Sequence, residues 1–73
     1  MTNNPRVGDR IRLVSMRDDP DPIPVGQAGT VAGVYRHDDE SDMWFQIDVD
    51  WDNGRALMLV SPPDRFEVIS ATV

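Results

Sequence analysis

Three aspartates at alternate positions, Asp48, Asp50 and Asp52, are the first residues in this 73-residue sequence whose type and spacing could carry chemistry. On an extended strand, carboxylates at i and i+2 share one face about 7 Å apart, given a rise near 3.3 Å per residue. That distance suits neither a shared proton nor a tight metal pair. As the opening of a calcium loop, Asp48-Val49-Asp50-Trp51-Asp52 supplies the first half of D-x-D-x-D-G. Asn53, however, stands where the glycine belongs, and Leu59 where the twelfth-position acid belongs. The calcium reading is rejected. The acids are expected to form a solvated strand face, with Asp52 opposite Arg55.

His37, the only histidine, stands beside Asp38, Asp39, Glu40 and Asp42, and residues 36–42 carry a net charge of −3 (Arg36 against four acids). Such a cluster could attract a hard cation or respond to pH, but a hydrophilic connection is the expectation adopted. With no cysteine there is no thiolate zinc site, disulfide framework or thiol nucleophile. A single histidine leaves nucleophilic catalysis without a visible constellation. The sequence therefore predicts no enzyme, no cofactor and no metal.

Aromatic side chains offer a different chemistry, since a barrel can use them as a groove or cage for proline-rich or cationic ligands. Trp51 alternates with apolar residues and is assigned to the core. Trp44 falls on the opposite, outward face. In the hairpin register derived below, Leu57 and Leu59 lie opposite Asp50 and Asp48 and point the same way. Trp44, Leu57, Leu59 and Tyr35 are thus the candidate surface for a protein partner or for self-association. Asp18, Asp19, Asp21, Asp48 and Asp50 form a candidate acidic surface that, if continuous, could occupy a nucleic-acid-binding protein as a decoy. An edge made of Arg6, Arg10 and Arg12 is the corresponding candidate for direct nucleic-acid contact.

The elements that must position these residues are short strands. Val7 to Ser15 contains the alternation Arg10-Ile11-Arg12-Leu13, the period of two of a half-buried strand. Met16 to Ala28 carries Pro20, Pro22 and Pro24 at every second position, which can supply neither ladder donors nor a helix interior, so it reads as a long, stiff loop. Thr30 to Tyr35 is the second strand, with Gly33 suggesting a bulge or close packing. Trp44 to Trp51 alternates cleanly, with Phe45, Ile47, Val49 and Trp51 inward. Asn53-Gly54 favours a two-residue type I′ turn, which sets Trp51 opposite Ala56, Val49 opposite Met58 and Ile47 opposite Val60 on a return strand from Arg55 to Val60. Ser61-Pro62-Pro63-Asp64 predicts a tight turn or one turn of 3₁₀ helix, and Arg65 to Ile69 the last strand, with Phe66 and Val68 buried.

Composition narrows the partners. Thirteen acidic against seven basic residues give a net charge of −6, a field that repels phosphate backbones and makes direct nucleic-acid binding unlikely. Apolar residues at 40% suffice for one small core, so residues 7–69 are read as one domain between polar tails at 1–6 and 70–73. The start lacks the charged flank and apolar run of a signal peptide, and no apolar stretch approaches the roughly 18 residues of a membrane span. The expectation is a cytoplasmic protein with no membrane association.

Five short strands, with a long proline-rich first loop and a one-turn break before the last strand, predict an all-β, SH3-like barrel, a closure that also removes exposed edges. Gly8 to Val31 (GDRIRLVSMRDDPDPIPVGQAGTV), with IDVDWDNGRALMLV (Ile47 to Val60) and DRFEVI (Asp64 to Ile69), resembles a short domain-of-unknown-function family of bacteria, phages and mobile elements. The resemblance covers nearly the whole chain. It implies a small SH3-like domain, with a phage or prophage source among the possibilities, and carries no activity. Gly8-Asp9 with Gly29-Thr30-Val31 is also similar to the start of KOW-type translation-factor barrels, from whose basic nucleic-acid-binding members this acidic chain departs.

Overall fold

The computed structural model describes residues 5–17 and 19–71, so Asp18 lies outside the described residues. The strands are β1 (Arg10–Ser15), β2 (Ala28–Asp38), β3 (Met43–Trp51), β4 (Leu59–Ser61) and β5 (Arg65–Ser70). They form one antiparallel sheet in the order β4-β3-β2-β1-β5, with no helix among the described residues. The first strand is shorter than the sequence suggested. Gly8, at a φ of 95°, and the Asp9 N–H to Arg6 carbonyl bond turn the chain before Arg10. β2 is longer, because it serves two neighbours. Its first residues pair with β1, as in Arg10 opposite Thr30, and the whole strand pairs with β3 across a bulge between Val31 and Gly33. A bulge bends a strand and increases its twist, which lets β2 curve around the core.

That core comprises Ile11 and Leu13 from β1, Val31 from β2, Ile47, Val49 and Trp51 from β3, and Leu59 from β4. Met16 and Ile23, from the proline-rich connection, complete it. The end of the connection keeps a partial ladder with β1, since Leu13 N–H donates to the Gln27 carbonyl at 3.0 Å and Gly26 N–H donates to the Leu13 carbonyl at 2.8 Å. Gly29 is fixed by close approach. A Cβ there would meet Val49 Cγ1 at 2.7 Å and Trp51 Cε3 at 2.9 Å, so no larger residue fits between them.

The β3–β4 turn corrects the expected register. Gly54 N–H donates to the Trp51 carbonyl, Trp51 N–H donates to the Arg55 carbonyl, and only Gly54 has a positive φ, at 90°. Asn53 does not, which excludes type I′. The loop is therefore three residues, a tight turn over Asp52-Asn53 followed by a left-handed glycine. Every pair slips by one: Ile47 faces Leu59, Gln46 faces Val60, and Asp50 bridges to Ala56. Because side chains alternate, the slip sends Leu59 into the core with no exposure and turns Met58 outward. Leu57, expected outward, is half-buried and packs on the core. Its carbonyl accepts the Trp51 indole N–H at 2.9 Å, which draws the chain off the ladder and leaves β4 only three residues long.

Pro62-Pro63 form a turn, without 3₁₀ helix, closed by the Asp64 N–H to Val60 carbonyl bond of 2.8 Å. Beyond it, no residue of β5 is fully buried. Phe66 is half-buried, as is Phe45, and Val68 is 40% exposed rather than buried as expected, because β5 is an outer strand whose far side meets no other strand among the described residues.

Candidate functional site

The outward face of β2, β3 and β4 gathers the polar and aromatic residues that β3's alternation turns away from the core. Direct pairing places Tyr35 beside Gln46 and His37 beside Trp44. Tyr35 is 51% exposed and lies over Gly33, where a Cβ would stand 2.9 Å from its ring. His37 belongs to β2 rather than to a loop, and its imidazole stacks on Trp44 with centroids 4.1 Å apart and planes 12° from parallel. Gln46 Nε2 donates to Asp48 Oδ1 at 3.1 Å, which leaves its Oε1 to accept from His37 Nε2 at 3.3 Å. The row is thus a fixed polar chain beside a stacked aromatic pair. No group of three or more metal-ligating side chains occurs among the described residues.

Next to this row, along β4, run two adjoining depressions. One is lined by Trp44, Val60, Pro62 and Pro63, with Asp42 and Met43 also on its wall. The other is lined by Leu57, Met58, Val60, Pro63 and Pro20, with Asp19 and Asp64 also contributing. They share Val60 and Pro63 and so form one apolar groove, with Asp42 contributing to one part and Asp19 to the other. Of the residues singled out from sequence, Trp44 and Leu57 line this groove. Tyr35 lies apart from it on the β2–β3 face, and Leu59 lies beneath it in the core. Met58, 49% exposed, takes the outward position expected of Leu59, Ala56 bridges to Asp50 in the place expected of Leu57, and Val60 joins the same face opposite Gln46.

The acidic residues are dispersed and partly neutralised. Arg10 crosses from β1 to Asp52 with two hydrogen bonds, at 2.8 and 2.5 Å, in place of the expected Asp52–Arg55 pairing. The hydrogen bond from Arg10, aided by its charge and opposed by desolvation, holds the Asp52 carboxyl below the ordinary carboxylate range. The same contact raises Arg10. Arg55 instead reaches the proline-rich connection, donating to the carbonyls of Asp21 at 2.8 Å and Pro22 at 3.3 Å, with the Asp21 carboxylate 3.4 Å away. Arg12 pairs with Glu67 across β1 and β5. Asp48 and Asp50 remain on the outward face of β3, apart from Asp21.

Two acids that the sequence reading passed over are buried and act on the backbone. Asp9 accepts the Arg6 N–H at 2.8 Å, and Asp64 accepts the Val60 N–H at 3.0 Å. Each stands beside a turn residue, in Gly8-Asp9 and Pro63-Asp64, where a short carboxylate can satisfy a nearby N–H. Both carboxylates hold backbone turns in place, and Asp64 does so from the wall of the groove.

A single five-stranded antiparallel sheet defines a small all-β domain. The chain belongs to the family described as a domain of unknown function, DUF4314, whose pattern matches residues 3–69. No curated protein and no solved structure matches it. Among the described residues no helix is long and apolar enough to cross a membrane.

Proposed function

We propose that this chain is a non-catalytic, SH3-like interaction module that holds an extended segment of another protein in the groove beside β4. The strand order, the long connection after β1 and the tight turn before β5 support the SH3-like reading. The observation that carries the binding proposal is the groove itself: an apolar floor of Trp44, Val60, Met58 and Pro63, with carboxylates at Asp42 and Asp19. An extended ligand with apolar side chains on the floor and arginine or lysine near the acids matches this chemistry, and the net charge of −6 favours its approach. The decoy and arginine-edge readings gain no such support, because Asp52 and Asp21 are engaged by Arg10 and Arg55, and Arg10 and Arg12 are held in ion pairs.

An array of extended peptides, basic-flanked and apolar at the centre, with neutral- and acidic-flanked controls, tests the proposal against the full chain. Basic-flanked peptides are expected to bind, and Val60→Asp and Trp44→Ala to abolish binding while the fold is retained by circular dichroism. Binding that ignores peptide charge, or survives both substitutions, overturns it.

A further inference from the structure

The far edge of the sheet offers a different kind of recognition. β5 pairs with β1 on one side, and its other side has no strand partner among the described residues. Phe66 and Val68 stand opposite the buried Leu13 and Ile11, hence on the core side, yet Phe66 is half-buried and Val68 largely open. With Pro5, Met43, Phe45 and Pro62 they line a groove along the sheet's open side, to which Asp64 and Arg65 also contribute. Protein edge strands are ordinarily blunted by proline, by lysine or by charges pointing inward. Arg65–Ser70 contains no proline or lysine, its charges, Arg65 and Glu67, alternate away from Phe66 and Val68, and its bulge, at Ile69 between the Ile11–Val68 and Arg10–Ser70 pairs, falls at the far end of the strand.

We propose that two copies of this chain associate through β5, pairing edge to edge and antiparallel about a twofold axis at Phe66. The charge order selects this register. With Phe66 opposite Phe66, Arg65 faces Glu67 of the second copy, and Glu67 faces Arg65 of the second copy, so both cross-strand pairs are opposite in sign. Moving the axis to Glu67 sets two carboxylates against each other. Arg65 makes no ion pair of its own among the described residues, whereas Glu67 already meets Arg12, so the second copy's arginine would complete a row of alternating charge. The pairing joins Arg65, Phe66 and Glu67 of the two copies, sets Val68 opposite Asp64 of the second copy, and is self-complementary, as a twofold contact requires.

Sedimentation velocity of the full chain over a wide concentration range tests this. The expected result is a reversible shift to twice the mass of a single chain. Val68→Asp, which sets a carboxylate opposite Asp64 of the second copy at an exposed edge position, should give a monomer with an unchanged circular dichroism spectrum. Glu67→Arg should weaken association on the order of tenfold by setting arginines opposite each other, and adding Arg65→Glu should restore it. Val60→Asp, in the β4 groove, should leave the dimer intact, which separates this contact from peptide binding. A single-chain mass at all concentrations, or a dimer indifferent to Val68→Asp, overturns the proposal. Failure of the charge swap to restore association overturns the Phe66-centred register.

Discussion

The two edges of this sheet are built on opposite plans. β4 is three residues long and ends at Pro62-Pro63, its one core-facing residue, Leu59, is completely buried, and the Asp64 carboxylate caps the Val60 N–H. β5 is twice as long, has no proline within it and buries no residue fully. An edge that is short, capped and anchored offers a visitor its side chains, whereas a long, uncapped edge offers its backbone. One small sheet can therefore present two surfaces that select ligands by different physics.

The largest expected effect tests that asymmetry directly. Leu59→Ala should lower unfolding free energy by about 2–5 kcal/mol, the usual range for truncating a fully buried leucine. Val68→Ala, at a partly exposed position, should change it by about 0.5 kcal/mol or less at concentrations where the chain is a monomer. Denaturant titrations of the two variants under those conditions suffice, and equal losses would erase the contrast. Asp64→Ala comes next. It strips the Val60 N–H of its acceptor and should cost about 1–3 kcal/mol, with faster amide exchange concentrated in β4. Exchange that accelerates equally in β5 would show that the cap is not specific to its own edge.

The smallest effect lies in the contact that ties the two sides together, Arg10 on β1 with Asp52 in the turn before β4. Because the folded carboxyl titrates below its ordinary value of 3.8, its contribution to stability is present above that pH. It is lost as pH falls through the lowered folded value. Thermal midpoints measured from pH 7 downward should therefore fall slightly more steeply below about pH 4 for the native chain than for Asp52→Asn. Parallel curves would remove the pair from the stability account.

Much of the fold could be read from residues alone. The alternation over Ile47, Val49 and Trp51 correctly separated core from surface, and Trp51 was correctly distinguished from Trp44. The register of β4 could not be read, because a glycine at positive φ satisfies both a two-residue and a three-residue hairpin, and the difference rests on the backbone of Asn53. Local sequence does not decide between them. Burial of Leu59 rather than Met58, the indole bond to the Leu57 carbonyl and the removal of Asp52 by Arg10 are tertiary facts that accompany the longer turn. For the candidate site the consequence is a change of lining: Trp44 and Leu57 stand at the groove, Leu59 leaves it for the core, and Met58 and Val60 join it. The burial of Met16 and Ile23 was equally hidden, since prolines at alternate positions announce a loop without revealing that two of its neighbours anchor it.

The pairing of Leu13 with Phe66 and of Ile11 with Val68 brings together residues separated by nearly the whole chain, whereas the long β2–β3 hairpin joins neighbours across a four-residue loop. Loop closure grows costlier with the length enclosed, and contacts of this kind slow folding. On this topology the pairing of β2 with β3 encloses few residues and carries a small closure cost, while the docking of β5 on β1 encloses most of the chain. The strand with the open edge is thus the one whose docking demands the greatest loss of chain entropy.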